Sequence, residues 1–230
     1  MLTLSQKHGT MLAANNNNTG LCRMIQAIIT DFDGVIRHWQ NDQTAQVEAQ
    51  CKLPAGTLSS LCFDPELLLP AITGKVSFEQ WQDNAKAKIQ KIYGLGVAEH
   101  YIEAWQRNGY RIDHDLITKY RDYFPDAHVV LATNATSRLP QELREANLNS
   151  SFYQVFNSSA MGVAKPQKQF FSALLMSLGL SAKQTLFIDD SIGNVQSAKQ
   201  LGMNAVHYDS RTQVLSQLEH LSLQYSMLAM

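Results

Sequence analysis

Three short apolar runs in this chain each end abruptly in polar residues. Ile25–Thr30 runs into Asp31-Phe32-Asp33-Gly34, His128–Ala132 into Thr133-Asn134, and Thr185–Ile188 into Asp189-Asp190. Runs of this length, rich in β-branched residues and bounded by turn residues, read as buried strands. Tyr153–Phe156 and Ala205–Tyr208 are weaker runs of the same kind. Helical patterns lie between the later ones, at Leu139–Ala146, Gln167–Leu178 and Ile192–Leu201. In the last, Ile192, Val195, Ala198 and Leu201 recur at helical spacing, and Gly202 supplies the stop. Strands that alternate with helices predict an α/β fold: a parallel sheet covered on both faces.

In a parallel sheet, the polar ends of these runs gather at the carboxyl edge, where α/β proteins bind ligands. Residues i and i+2 of an extended chain point the same way, so Asp31 and Asp33 project together. A single Asp there would be explained as a turn cap. With Asp189 and Asp190 at the same edge, however, the carboxylates repel one another unless a cation neutralises them. A donor set of oxygens without neighbouring Cys or His selects a hard ion, Mg²⁺ rather than Zn²⁺. The hydroxyl of Thr133 and the backbone amide of Asn134 suit phosphate oxygens, although both residue types are also common in turns. Lys165-Pro166 opens a helical segment, whose N-terminus attracts anions. Taken alone, that lysine reads as an ordinary solvated charge.

From Trp39 to Asn108 the pattern is helical, with no convincing strand. Ser77-Phe78-Glu79-Gln80 is a capping box, followed by Phe78, Trp81, Ala85, Ile89 and Ile92 on one face. That stripe is expected to be core rather than a cofactor site. Gly94 and Gly96 should end this helix, a second should run over Ala98–Arg107, and a short one over Leu67–Ile72 should close at Gly74. About 70 residues is too long for a loop. The expectation is a small helical domain, residues 39–108, over a core built from residues 24–38 and 109–230. Residues 1–23 are polar and carry Asn15–Asn18. They are expected to be a disordered extension whose removal leaves activity nearly unchanged.

Composition narrows the partner. A formal net charge of -1 offers no basic surface for nucleic acid, and no apolar run approaches the roughly 20 residues that cross a bilayer. No secretory signal pattern precedes Ile25. The 3 cysteines, Cys22, Cys51 and Cys62, lack metal-site spacing and cannot all pair. They are expected to be free thiols in a reducing compartment, with cytoplasm as the default. The expected partner is therefore a small molecule, and the oligomeric state is not legible.

Taken in order, the four polar segments resemble the haloacid dehalogenase superfamily. Asp31-Phe32-Asp33-Gly34-Val35 is similar to its Asp-x-Asp-Gly-Val/Thr motif, Thr133 to its second motif, Lys165 to its lysine, and Asp189-Asp190 to its paired acids. Similarity continues through Gly193-Asn194-Val195, Ala198 and Leu201-Gly202-Met203, so it covers roughly Met24–Leu221. The insert resembles the small helical cap of the family's first cap class, in a branch that includes sugar-phosphate phosphatases.

The resemblance implies a Rossmann-like parallel-sheet core with an inserted all-helical cap. It also implies Mg²⁺-dependent hydrolysis of a small, sugar-phosphate-like monoester. Asp31 would attack phosphorus and form an aspartyl-phosphate. Asp33 would serve as general acid and base, with its backbone carbonyl on the metal. Thr133, Asn134 and Lys165 would bind the phosphoryl oxygens. Asp190 would ligate the metal directly, with Asp31, and Asp189 would do so directly or through water. Family members that displace halide lack an acid at the position of Asp33, which argues against dehalogenation. A phosphomutase, or a catalytically silent binding protein, is the alternative on this fold; the intact carboxylate set argues against the latter. Arg37, His38, Trp39, Lys75 and Arg111 are candidates to meet the substrate.

Overall fold

The computed structural model describes residues 25–229, so the expected extension over residues 1–23 lies outside the described part. In chain order, β1 (Ala27–Thr30) and β2 (Arg37–Gln40) lead into α1 (Asp42–Gln50), α2 (Thr57–Cys62), α3 (Pro65–Ile72), α4 (Phe78–Tyr93) and α5 (Leu95–Arg107). Next come β3 (Gly109–Ile112), α6 (His114–Tyr123), β4 (His128–Thr133), α7 (Leu139–Glu145), β5 (Gln154–Asn157) and α8 (Ser158–Met161). The chain continues through α9 (Lys168–Leu178), β6 (Thr185–Asp189), α10 (Ile192–Gln200), β7 (Asn204–His207) and α11 (Arg211–Ala229).

Five of the strands form one all-parallel sheet in the order β5-β4-β1-β6-β7. The two-residue period of a strand explains how both faces become core. On one face Ile28, Val129, Leu131, Leu186 and Ile188 pack with Leu116 and Tyr120 of α6 and with Val214 and Leu218 of α11. On the other, Ala27, Ile29, Val130, Ala132 and Phe187 pack with Phe170, Phe171 and Leu174 of α9. Strands buried on both sides read as continuous apolar runs, which is why the central three were visible in the sequence. All five strand runs and the three helical patterns flanking them hold to within about two residues, the usual uncertainty of element ends.

The insert holds α1–α5 around its own apolar cluster, with Val47, Leu58, Ala85, Ile89 and Tyr101 at its centre. The expected capping box at Ser77 is present, with reciprocal bonds between Ser77 and Gln80. Trp81, Ala85 and Ile89 of the stripe are buried, whereas Ile92 is exposed. Gly94 ends α4, while Gly96 lies inside α5. One expectation fails at the rim: Trp39 and Gln40 are strand residues. They belong to β2, which pairs antiparallel with β3 from Arg37↔Ile112 to Gln40↔Gly109. The arms are four residues each and are separated by the whole insert, so neither carries a hairpin turn signal. Among the described residues, no helix is long and apolar enough to cross a membrane.

Candidate active site

The strand order puts the carboxyl ends of β4, β1 and β6 side by side, and each delivers part of one cluster. Asp31 follows the last residue of β1, and its backbone N–H donates to Ile188 O of β6. Asp189 closes β6. Its parity with Phe187 sends it toward the face that α9 covers, and there it meets Lys165. The Lys165 ammonium, with a fully buried side chain, lies 2.6 Å from Asp189 Oδ2 and 2.9 Å from Asp31 Oδ1. It also donates to Ala132 O at 2.8 Å. Lys165 is thus buried within the cluster rather than solvated, as a lysine considered in isolation would be. Nor does it belong to a first helical turn: α9 begins at Lys168, with Gln167 at its N-cap position.

Further side chains hold these groups in place. Asn134 pairs with the backbone of Lys165 through both its amide ends, accepting from Lys165 N and donating to Lys165 O, each at 2.8 Å. Asn194 of α10 donates to both carboxylate oxygens of Asp189, at 2.9 and 3.1 Å, and Ser191 N adds a third bond at 2.8 Å. Neither pairing has a signature in the sequence beyond the presence of Asn near a strand end. Thr133 is buried at the end of β4.

Asp31, Asp189 and Asp190 each offer an oxygen within 4.8 Å of the others. Burial pushes the Asp31 carboxyl up to about 7, against the opposing pull of Lys165. Asp190 is likewise raised, by burial first and by Asp189 second. Lys165 is pulled down by burial, but Asp31 and Asp189 outweigh that and hold it above its ordinary range. The cluster is therefore short of positive charge despite the lysine. An all-oxygen donor set with excess negative charge fits a hard divalent ion such as Mg²⁺.

This imbalance has a measurable consequence for the metal-free protein. The unfolded chain ionises Asp31 near the ordinary 3.8, whereas the folded chain holds its proton up to about 7. In that window the folded state binds more protons, so stability falls as pH rises. In EDTA, the Tm of the wild-type protein is expected to fall relative to that of Asp31→Asn as pH rises from 4 to 7. Equal slopes in the two proteins would contradict the assignment.

Gly34 shapes the turn after Asp33. Its φ is +86°, and a Cβ there would stand 2.0 Å from Asp190 Oδ2. Gly34→Ala must therefore displace Asp190 as well as strain the backbone. We expect roughly 10–100-fold weaker metal binding, the range typical when a ligand's support is disturbed, read from an Mg²⁺ titration. Unchanged metal dependence would show that Asp190 is not needed where it stands.

Asp33 does not join the cluster through its side chain. Arg37 forks onto both of its oxygens, from Nε at 2.7 Å and Nη2 at 2.9 Å, and the Trp39 indole N–H adds 2.7 Å. Arg37 is itself buried, bonded to Glu142 at 2.8 Å and stacked 4.4 Å over both Phe32 and Trp39. Asp33, Arg37, Trp39 and Asn134 line one cavity between the insert and the carboxyl edge of the sheet. Of the residues expected to meet the substrate, Arg37 and Trp39 reach it. His38 instead bonds Val35 O, and Arg111 lies beside Asp113.

A model of the haloacid dehalogenase-like hydrolase family matches residues 25–202. Among curated proteins, the chain is 29% identical over 199 residues to a sesquiterpene phosphatase of Aspergillus oryzae, covering 81% of this chain and 91% of that protein. It is 26% identical over 207 residues to a drimenol cyclase of Aspergillus calidoustus; the match takes in 86% of this chain but spans only 37% of the cyclase. Among solved structures, a predicted HAD-like hydrolase from Porphyromonas gingivalis has a TM-score of 0.64 at 23% identity, over 85% of this chain and 98% of that one. A HAD family enzyme from Bacteroides thetaiotaomicron, in complex with magnesium and inorganic phosphate, has a TM-score of 0.63 at 19% identity, over 83% and 98%. These two likenesses establish the fold.

Proposed function

The chain belongs to the haloacid dehalogenase-like hydrolases, and from that premise we propose that it hydrolyses a phosphate monoester through a phosphorylated Asp31. The observation that carries this reading is the Lys165 ammonium held between Asp31 and Asp189, with Asp190 alongside. A carboxylate nucleophile divides one difficult displacement into two easier ones. An Asp31 oxygen bonds to phosphorus as the bond from phosphorus to the alcohol oxygen breaks, and Asp33 gives that oxygen a proton. Water then attacks the same phosphorus, Asp33 takes the proton back, and Asp31 is released as a carboxylate with inorganic phosphate; for this Asp33 must leave the fork of Arg37, which engages both its oxygens as an ionised carboxylate.

Charge in such a transfer spreads over the phosphoryl oxygens, so catalysis is mainly positioning and nearby positive charge. Lys165 supplies one such charge, and Thr133 and the Asn134 amide complete the phosphoryl cradle. Asp31, Asp189, Asp190 and the backbone carbonyl of Asp33 are the groups that would hold Mg²⁺, whose charge offsets that of the phosphoryl oxygens. The name of a curated relative, the sesquiterpene phosphatase of Aspergillus oryzae, supports phosphate ester chemistry. The test is release of p-nitrophenol from p-nitrophenyl phosphate, with and without Mg²⁺. No release by folded protein between pH 5 and 8 would overturn the reading.

Residues 39–108 act in this reading as a cap over a core of residues 24–38 and 109–230. The proposed reactive groups all lie outside the cap, so it contributes closure and contacts to the leaving group. Substitutions on its inner face are expected to alter the ratio of kcat/KM between substrates. An equal loss for every substrate would reduce the cap to structural support.

A further inference from the structure

The cavity beneath the insert has a wall that phosphoryl transfer does not use. It encloses about 780 Å³, well within the range of sites for drug-sized ligands. The chain has 3 tryptophans, and Trp39, Trp81 and Trp105 all line it, together with Phe63, Phe78 and Tyr110. Trp81 is the hub of the deeper group, with ring centroids 5.0 Å from Trp105, 5.5 Å from Phe63 and 6.0 Å from Phe78. Phe63 is 48% exposed and Trp39 40% exposed, and both line this solvent-accessible cavity. Apolar rings left uncovered in a concave site offer burial to whatever enters it.

Several polar groups of the same wall are engaged with the protein itself, and the Arg138 guanidinium lies 4.9 Å over the Phe78 ring. Glu48 accepts from the backbone N–H groups of Gly56 and Leu58, both at 2.6 Å. Asn108 bonds Thr44 and Asn41, and Gln106 bonds Gln82. The Trp81 indole donates to Cys62 O, and that of Trp39 to Asp33. A polyol entering here would exchange its water for partners already in use, which costs free energy. A hydrocarbon loses nothing of that kind.

Resting on the phosphatase reading above, we propose that the alcohol esterified to phosphate is a bulky, unhydroxylated hydrocarbon whose body lies against these rings. The cavity is continuous with the reactive end, because Asp33 and Asn134 line it as well. In this proposal a phosphate seated at Asp31 would turn its ester oxygen toward the aromatic wall. This leaving group differs from the sugar-like one that the resemblance implies.

The test is a homologous series of n-alkyl phosphates from ethyl to decyl, below their micellar concentrations, beside glycerol phosphate and glucose 6-phosphate. The expected result is a rise in kcat/KM of about fourfold per methylene, the transfer free energy of one buried CH₂, until the cavity is filled. The polyol phosphates should fall below the hexyl ester. Phe63→Ala should flatten the slope. A series without slope, or a preference for the polyols, would overturn the proposal. A second arm needs no turnover: n-alkylphosphonates, which carry no ester bond, are titrated in Mg²⁺ against the fluorescence of the tryptophans. Dissociation constants that fall with chain length support the hydrocarbon site even if no ester is cleaved, the outcome that would defeat the phosphatase reading alone. Constants indifferent to chain length would defeat the hydrocarbon site while leaving hydrolysis standing.

Discussion

Asp31→Asn is expected to lower turnover of p-nitrophenyl phosphate by roughly a thousandfold or more, the scale seen when a covalent nucleophile is removed, with the fold retained. The amide is isosteric, and its oxygen can still accept from Phe32 N and Lys165, which now reach Asp31 Oδ1 at 2.7 and 2.9 Å. Lys165 also keeps Asp189 and Ala132 O, so no buried charge is stranded. What the variant loses is the one carboxylate placed to attack. Relief of repulsion among Asp31, Asp189 and Asp190 should offset any loss of stability in the metal-free protein. Circular dichroism establishes folding, and phosphate release reads the rate. Wild-type turnover by a folded variant would remove Asp31 from the mechanism.

Chelation is expected to lower activity of the wild-type protein by at least a hundredfold, the scale of several kcal/mol of charge stabilisation, with recovery on addition of Mg²⁺. Calcium should inhibit in the presence of Mg²⁺. It takes more oxygen ligands at longer distances, so Asp31 would be bound through both oxygens with none left to attack. Activity is measured at fixed Mg²⁺ against rising Ca²⁺, and again after dialysis into EDTA. Full activity after exhaustive chelation would reject the metal reading, and indifference to Ca²⁺ would reject the account of Asp31.

The segments of the candidate site were legible because they sit where buried parallel strands stop. An apolar run such as Thr185–Ile188 followed by two acids is a local pattern, and the sheet then makes it a spatial one. The fork of Arg37 onto Asp33 was not legible. It depends on β2 pairing with β3 across the entire insert, and the sequence holds no trace of that partner. Lys165 was singled out only by the resemblance, because nothing in its neighbours distinguishes a lysine with 0% side-chain exposure from one in water. The start of α2 was hidden as well. Its cap is the carboxylate of Glu48, which reaches Gly56 and Leu58 from α1, where a local motif would have placed Ser, Thr, Asp or Asn directly before the helix.

The central position of β1 sets the order in which the molecule can be built. Ile28 is paired with Val129 and with Leu186, about 100 and about 160 residues later, and contacts at such separations close slowly because chain entropy opposes them. The cluster of the insert, by contrast, draws only on residues between Val47 and Trp105. During synthesis, which proceeds from the N-terminus, that cluster can assemble while β1 still lacks both neighbours. Asp31 would then wait, unpaired, for a lysine and an aspartate that have yet to emerge. An incomplete chain can therefore hold the helical insert before it holds the carboxylate cluster.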